Sequence, residues 1–199
     1  MQLYNVLAIV AFLAGQSCAS ALPPRSNSIG EAASKGGDAD GAQAIITRIS
    51  AVSENLDGWA GAVNSYKIGY LSLKPLDKAE KATEASLDAA AAAVKKSKPL
   101  VEKENSAVAG QVAAMLPKVK AIARALDDKA KIMMKEKVGG KVVEDVAGVQ
   151  NKMDQLFASL QVVMTKQTQP GLKKAMQGVD KVLGKTQAIF SGGKLRAAN

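Results

Sequence analysis

Acidic side chains stand side by side at Asp127–Asp128 and at Glu144–Asp145, and paired carboxylates are what general acid–base catalysis would use. Adjacent residues of a helix point in different directions, so neither pair brings its two carboxylates together. We therefore interpret both pairs as solvated helix surface.

Histidine is absent from the 199 residues, and Cys18 is the single cysteine. Catalytic arrangements that need histidine, and metal sites that need histidine or several cysteines, are excluded on that ground. No phosphate-binding glycine motif is present, and the pair Gly139–Gly140 fits a helix stop. The sequence predicts a protein that is not an enzyme and that has no metal site and no cofactor.

The first 21 residues carry no charged side chain, and Leu3 to Ala14 form an apolar run too short to span a bilayer. Ala19-Ser20-Ala21 follows as a small-residue cleavage signal. This pattern predicts a secretory signal peptide over 1–21, hence a secreted protein with no transmembrane span. A buried N-terminal helix is the alternative interpretation, and a lipidated Cys18 is a weaker one.

The rest of the chain divides by composition. Residues 22–39, rich in proline, glycine and serine, predict a flexible leader. Helical periods continue over 40–191, and 192–199 predict a disordered tail. Alanine supplies 35 of the 199 residues and aromatic residues only 4%, which favours helix over sheet.

The first predicted helix has apolar residues at alternating spacings of four and three, a heptad pattern. They are Ile45, Ile49, Val52, Leu56, Trp59, Val63, Tyr66 and Tyr70. We expect this helix to end near Gly69.

Prolines and glycines punctuate the helical pattern after that helix. Pro75 and Pro99 each fit the start of a helix, Pro117 predicts a break or a kink, Gly139–Gly140 a stop, and Pro170 the end of another helix. The predicted fold is all-α: a single antiparallel bundle of five to six amphipathic helices. The number is five if Pro117 only kinks its helix.

The net charge of +9 is concentrated in 118–141 and 165–199. A solvated surface explains this excess, and so does attraction to an anionic surface such as acidic polysaccharide, phospholipid or a fatty-acid head group. Aromatic residues are not interleaved with the lysines, so nucleic acid is not a predicted partner.

Two segments carry a resemblance to a known family. Asp40 to Tyr66 and Val119 to Lys135, the latter containing Leu126-Asp127-Asp128-Lys129, are similar to helices of the fungal hydrophobic surface-binding protein A family. That family includes cell-wall galactomannoproteins, and the resemblance covers roughly 40–190. It implies a secreted helical bundle that adsorbs to hydrophobic surfaces or holds a lipid or fatty-acid chain between its helices.

An acyl chain held in this way would lie among apolar side chains of the first, fifth and last predicted helical segments. The candidates are Ile49, Leu56, Trp59, Val63, Met153, Phe157 and Phe190. The same residues also fit an ordinary filled core. The alternative function is a cell-wall structural, antigenic or host-interaction protein, with cell-wall polysaccharide as its partner and the cell wall as its location.

Overall fold

A computed structural model of the chain describes residues 39–68 and 73–192, and all regular structure in these ranges is helical. The five helices are α1 (Ala39–Asn64), α2 (Leu73–Lys96), α3 (Glu102–Lys135), α4 (Gly139–Val163) and α5 (Gln169–Phe190). The predicted all-α fold is confirmed. The predicted signal peptide (1–21), the leader as far as residue 38 and the tail from residue 193 lie outside the described residues.

The helices form a closed ring in the order α1, α2, α4, α5, α3, in which each packs against the helices on either side. Helix axes in contact lie about 8–10 Å apart, so the centre of a five-membered ring is roughly 7–8 Å from each axis. Large side chains are needed to fill such an interior.

Cross-helix contacts fix the directions of the helices. Ser50 of α1 hydrogen-bonds to Gln111 of α3, and the carbonyl of Tyr66, just beyond the end of α1, accepts from Lys129 of α3. Residue numbers rise in the same direction on both sides, so α1 and α3 run parallel. Gly41 lies beside Ser97, so α1 and α2 run antiparallel. Consecutive helices alternate in direction along the chain, as expected for an antiparallel bundle. We call the end where α1 begins the lower end and the end where it finishes the upper end.

Pro117 lies inside α3 without breaking it, which makes α3 the longest helix at 34 residues and sets the number of helices at five. Proline removes the hydrogen bond to the carbonyl of Ala113, four residues earlier. Pro117 and Ala113 are both exposed, so water can satisfy that carbonyl. Pro117 therefore lies on the solvent-facing side of α3, where the lost hydrogen bond destabilises the helix least.

The prediction that Gly139–Gly140 ends a helix is wrong, because Gly139 is the first residue of α4. The turn after α3 instead uses Lys137, whose φ is +60°. Gly139 packs closely against Met134, since a Cβ there would lie 2.6 Å from Met134 Sδ unless that side chain moved.

Two other predicted boundaries shift. Pro170 does not end α4, which finishes at Val163; it lies in the first turn of α5, where a missing N–H is tolerated. α1 ends at Asn64, before Gly69, yet Tyr66 remains 2% exposed, because the chain turns there and keeps its ring against the core. Gly69 and Tyr70 lie outside the described residues.

Candidate functional site

The inward face of α1 is the predicted heptad pattern, and it is buried along the whole helix. Among its members, Ile49, Leu56 and Val63 are 0% exposed and Trp59 is 2% exposed. Heptad spacing keeps these side chains on one face, so α1 contributes a continuous apolar wall to the interior.

The other candidate residues come from the far side of the ring. Met153 and Phe157 of α4 and Phe190 of α5 are all buried, and all seven candidates belong to one apolar cluster. α4 is not a neighbour of α1 in the ring, so the cluster joins side chains from opposite sides of the bundle. The structure thus brings the candidate residues into one interior.

This interior is long in the direction of the helix axes. Ile49 and Val63 are 14 residues apart on α1, which corresponds to about 21 Å. One leaflet of a bilayer, half of a hydrocarbon core of about 30 Å, is shorter than that. The apolar wall of α1 is therefore long enough to accompany an extended acyl chain.

The interior is closed as it stands. Ile49, Leu56, Met153 and Leu160 have 0% exposure, so no water-sized space adjoins them. A bound chain would have to move side chains or separate helices to make room.

Three methionines occupy the interior and are suited to such movement. Met115 and Met133 of α3 and Met153 of α4 are each 0% exposed, whereas Met134 is 42% exposed. Methionine has three rotatable bonds and no branches, so it adapts to irregular apolar neighbours. The centre of the bundle is therefore filled partly by pliable side chains.

The lower end of the bundle is tied together by Asn105, which is 0% exposed. Its Nδ2 donates to the carbonyls of Leu100 and Val101 at 2.8 and 2.9 Å, and its Oδ1 accepts from the N–H of Thr165 at 3.0 Å. Thr168 Oγ1 donates to the same oxygen at 3.3 Å. One side chain thus joins the loop before α3 to the loop before α5.

A polar cluster interrupts the apolar contact between α2 and α4; it comprises Asp77, Glu80, Glu84, Lys141 and Asp145. Lys141 Nζ lies 3.1 Å from Asp77 Oδ1 and 3.0 Å from Asp145 Oδ1. Asp145 is 9% exposed, so its interpretation as solvated surface is wrong, and its Oδ2 has no hydrogen-bond partner. Burial raises the pKa of Asp145, although Lys141 opposes that shift.

Glu80 is the most deeply buried carboxyl group of this polar cluster, at 5% exposure. Burial raises its pKa to about 7, and the negative charges of Asp145 and Glu84 act in the same direction. Lys141 lowers the pKa of Glu80 by a smaller amount. The contact between α2 and α4 therefore contains a group that titrates near neutral pH.

Two surface grooves flank the bundle. The lower groove, about 550 Å³, lies between α2 and α4 and is lined partly by Val94, Ala158 and Val162, the last 81% exposed. The basic groove, about 440 Å³, lies between α3 and α5, with Lys120, Arg124, Lys181 and Lys185 among its lining residues. Neither groove is lined by the candidate residues.

Within the described ranges, no group of three or more acidic, cysteine or histidine side chains is arranged to hold a metal ion. None of the helices in these ranges is long and apolar enough to cross a membrane. The chemistry offered by the interior is apolar contact along a closed but pliable core.

The family model described as hydrophobic surface binding protein A matches residues 42–161, which is more than half of the chain. The chain belongs to this family. The resemblance seen in the sequence is thereby confirmed, and the matched region runs from the first residues of α1 nearly to the end of α4. A comparison with curated proteins gives no significant match.

Several solved structures share the fold of this family member, although their sequence identity to it is low. Afmp4p, in complex with palmitic acid, has a TM-score of 0.73 and 21% identity, over 75% of this chain and 99% of that chain. Ligand binding domain 2 of the Penicillium marneffei MP1 protein, complexed with multiple arachidonic acids, has a TM-score of 0.70 and 16% identity, over 80% and 99%. Ligand binding domain 1 of that protein, complexed with arachidonic acids, has a TM-score of 0.71 and 14% identity, over 75% of this chain and 98% of that chain.

Sequence reasoning located the interior of this family member but missed three features around it. Asn105 and Glu80 stand among polar residues, and helical spacing alone does not show that both point inward. The basic groove was missed because its two rows of cations come from separate segments of the chain. The lysine excess in 118–141 and 165–199 was the available signal, but it did not show that the two segments adjoin.

Proposed function

We propose that this chain binds long-chain fatty acids or similar apolar chains in the interior of its helical bundle. The observation that carries the proposal is one continuous apolar cluster, about 21 Å long on α1, that joins side chains from all five helices of the ring. Membership of the hydrophobic surface binding protein A family supports it, and so do the fatty acids named with similarly folded proteins.

The proposed site uses the seven candidate residues as its walls. Ile49, Leu56, Trp59 and Val63 line it from α1, Met153 and Phe157 from α4, and Phe190 closes the upper end from α5. Each methylene buried contributes about 0.8 kcal/mol, so a long chain binds at micromolar strength or better after entropy losses. Room for the chain comes from rotation of Met115, Met133 and Met153 together with small displacements of the helices.

Titration calorimetry with palmitate tests the proposal. We expect saturable binding to the wild-type protein, weakened several-fold in the triple variant Met115→Ile/Met133→Ile/Met153→Ile, because isoleucine is similar in volume but stiff at χ1. The matched control is Met134→Ile, which changes a half-exposed methionine outside the core and should leave the affinity unchanged.

Saturable binding that is equal in the triple variant and in the control would contradict the role given to the interior methionines. No saturable binding to the wild-type protein would contradict the proposed function itself. Thermal unfolding of each variant, compared with wild type, shows that the fold is retained.

The protein is also proposed to be secreted and to act without catalysis. Residues 1–21 support secretion through their signal-peptide pattern, and the lack of histidine in the chain supports a binding role. N-terminal sequencing of the protein from culture medium checks the first point, with a new terminus expected after Ala19 or Ala21. Retention by isolated cell wall that is lost at high salt would favour the alternative of a wall-associated protein.

A further inference from the structure

At two of the contacts between helices, α1 with α3 and α2 with α4, cations are paired with carboxylates. Lys118 of α3 bonds to Asp57 of α1, and Lys152 of α4 lies 2.8 Å from Asp88 of α2. Lys141 bridges two aspartates in the polar cluster. The contact between α3 and α5 is different, because its cations face one another.

The basic groove holds two rows of positive charge. Lys120 and Arg124 are one turn apart on α3, Lys181 and Lys185 are one turn apart on α5, and all four side chains are exposed. Like charges four residues apart destabilise a helix slightly, and here the arrangement occurs on two facing helices. Among residues 39–68 and 73–192, no carboxylate lies within ion-pair distance of any of the four.

The floor of the basic groove is apolar and shallow. Leu116 lies so close to α5 that a Cβ at Gly178 would be 3.1 Å from its Cδ2, and Ala123 and Val182 complete the floor. Among the described residues that line the groove, Asp127 is the one acidic side chain.

Most of the excess positive charge lies on the two helices that form this groove. α3 from Lys118 to its end carries six basic and two acidic residues, and α5 carries four basic and one acidic residue. These two segments account for most of the net charge of +9. Together they give this side of the bundle a positive field.

We propose that the basic groove and the faces of α3 and α5 beside it dock on the surface of an anionic phospholipid bilayer. The four cations contact phosphate-bearing head groups at the surface of the bilayer. This surface is separate from the apolar interior, and the proposal does not depend on fatty-acid binding there.

A bilayer fits the groove better than a single fatty acid or a neutral polysaccharide does. The lining residues extend from Leu116 to Asp127, about 16 Å along α3, and one carboxylate cannot neutralise four cations spread over that length. Binding of a neutral polysaccharide would use hydroxyl, amide and aromatic side chains, whereas Thr186 supplies the one hydroxyl among the described residues that line this groove. An anionic bilayer presents many negative charges over the whole length of the groove, which complements the two rows of cations.

Co-sedimentation of the purified protein with vesicles tests this proposal. The groove variant is Lys120→Gln/Arg124→Gln/Lys181→Gln/Lys185→Gln. The matched control is Lys74→Gln/Lys78→Gln/Lys81→Gln/Lys103→Gln, which removes four exposed cations elsewhere. We expect wild type to bind phosphatidylglycerol-containing vesicles, to bind phosphatidylcholine vesicles far more weakly, and to be released by salt.

Each cation that contacts the bilayer contributes roughly fivefold to the partition coefficient of the protein onto anionic vesicles. The partition coefficient should therefore fall at least about a hundredfold in the groove variant and less than about tenfold in the control. Equal losses in both variants would overturn the proposal by showing a general charge effect. Equal binding of the wild-type protein to both kinds of vesicle would overturn it too. So would a groove variant that no longer binds dextran sulfate but still binds phosphatidylglycerol-containing vesicles as wild type does.

A second pair of variants keeps the test valid if the quadruple variant unfolds. Asp127→Asn removes the carboxylate that lines the groove, and Asp128→Asn removes its exposed neighbour. We expect Asp127→Asn to strengthen vesicle binding several-fold and Asp128→Asn to change it less. The reverse order would overturn the proposal. Leu56→Val, a variant of the interior, should leave vesicle binding unchanged.

Discussion

Asn105 is the residue whose removal should most disturb the lower end of the bundle. Its amide uses both donor and acceptor groups inside the protein, and Asn105→Ala would leave two carbonyls and the Thr165 N–H without this partner. A buried polar group without a partner costs about 1–3 kcal/mol, so we expect the free energy of unfolding to fall by at least about 2 kcal/mol.

Urea denaturation measures the effect of Asn105→Ala. Asn151→Ala is the matched control, because Asn151 is an exposed asparagine in the middle of a helix. Similar small changes in both variants would show that the hydrogen bonds of Asn105 do not hold the two loops together.

Glu80 makes the stability of the protein depend on pH near neutrality. Its pKa is about 7 in the folded protein and near the ordinary value of 4.5 in the unfolded chain. Below pH 4.5 both states hold the proton and the stabilisation is complete. As the pH rises from about 4.5 to about 7, the unfolded chain releases the proton while the folded protein keeps it, so the free energy of unfolding falls. One pKa unit corresponds to about 1.4 kcal/mol, so the loss amounts to a few kcal/mol.

Denaturation curves at pH 5, 6, 7 and 8 check this dependence. Glu80→Gln removes the titrating group and should flatten the profile, making the variant more stable than wild type at pH 8. Glu54→Gln changes an exposed carboxyl group and should leave the slope as in wild type. A slope that is the same with and without Glu80 would contradict the assignment.

The sequence predicted residues well where periodicity alone decides the environment. All heptad positions of the first predicted helix that fall within the described residues are buried, from Ile45 to Tyr66. Periodicity did not reveal that Asp145 is buried. That depends on Lys141 one turn away and on Asp77 of another helix, and a one-dimensional pattern does not show which helix packs opposite.

Within α3, Pro117 leaves one backbone hydrogen bond of the helix unmade, and a substitution can restore it. Pro117→Ala restores an N–H that can bond to the carbonyl of Ala113, and proline is about 3 kcal/mol less favourable than alanine inside a helix. We expect the free energy of unfolding to rise by about 1–3 kcal/mol, since the surrounding helix has already adapted to the proline. Thermal and urea unfolding measure this rise.

Gly110→Ala is the comparison within the same helix. Gly110 is exposed and a Cβ there meets nothing within 4 Å, so we expect a rise of about 1 kcal/mol from helix propensity alone. If Pro117→Ala were destabilising, the proline would be required for the path of α3 rather than tolerated on its outer face.

Helix boundaries were less predictable than helix faces. The sequence pattern favours Gly139–Gly140 for the turn after α3, but Lys137 makes that turn and Gly139 begins α4 beside Met134 and Phe190. Pro170 fits both a helix end and a first turn, and the choice between them depends on where the preceding helix stops. In both cases a tertiary contact or a neighbouring helix determines the role of the residue.

At the scale of the whole molecule, the ring order of the helices explains the properties that sequence alone could not supply. α2 and α3 follow one another in the chain but are not neighbours in the ring, which allows α3 to lie beside α5. That adjacency joins two basic segments into one face. The same ring makes the interior wide enough to need Trp59, Phe157 and three methionines to fill it.

Entry of an acyl chain into this interior can be measured through Trp59. It is the single tryptophan of the chain and is 2% exposed, so its fluorescence reports on the centre of the bundle and not on either surface groove. A fatty acid brominated in mid-chain quenches tryptophan on contact. We predict saturable quenching by the brominated acid, with no quenching by the same acid without bromine and with competition by palmitate. Saturable binding of the brominated acid that leaves Trp59 fluorescence unchanged would contradict the account.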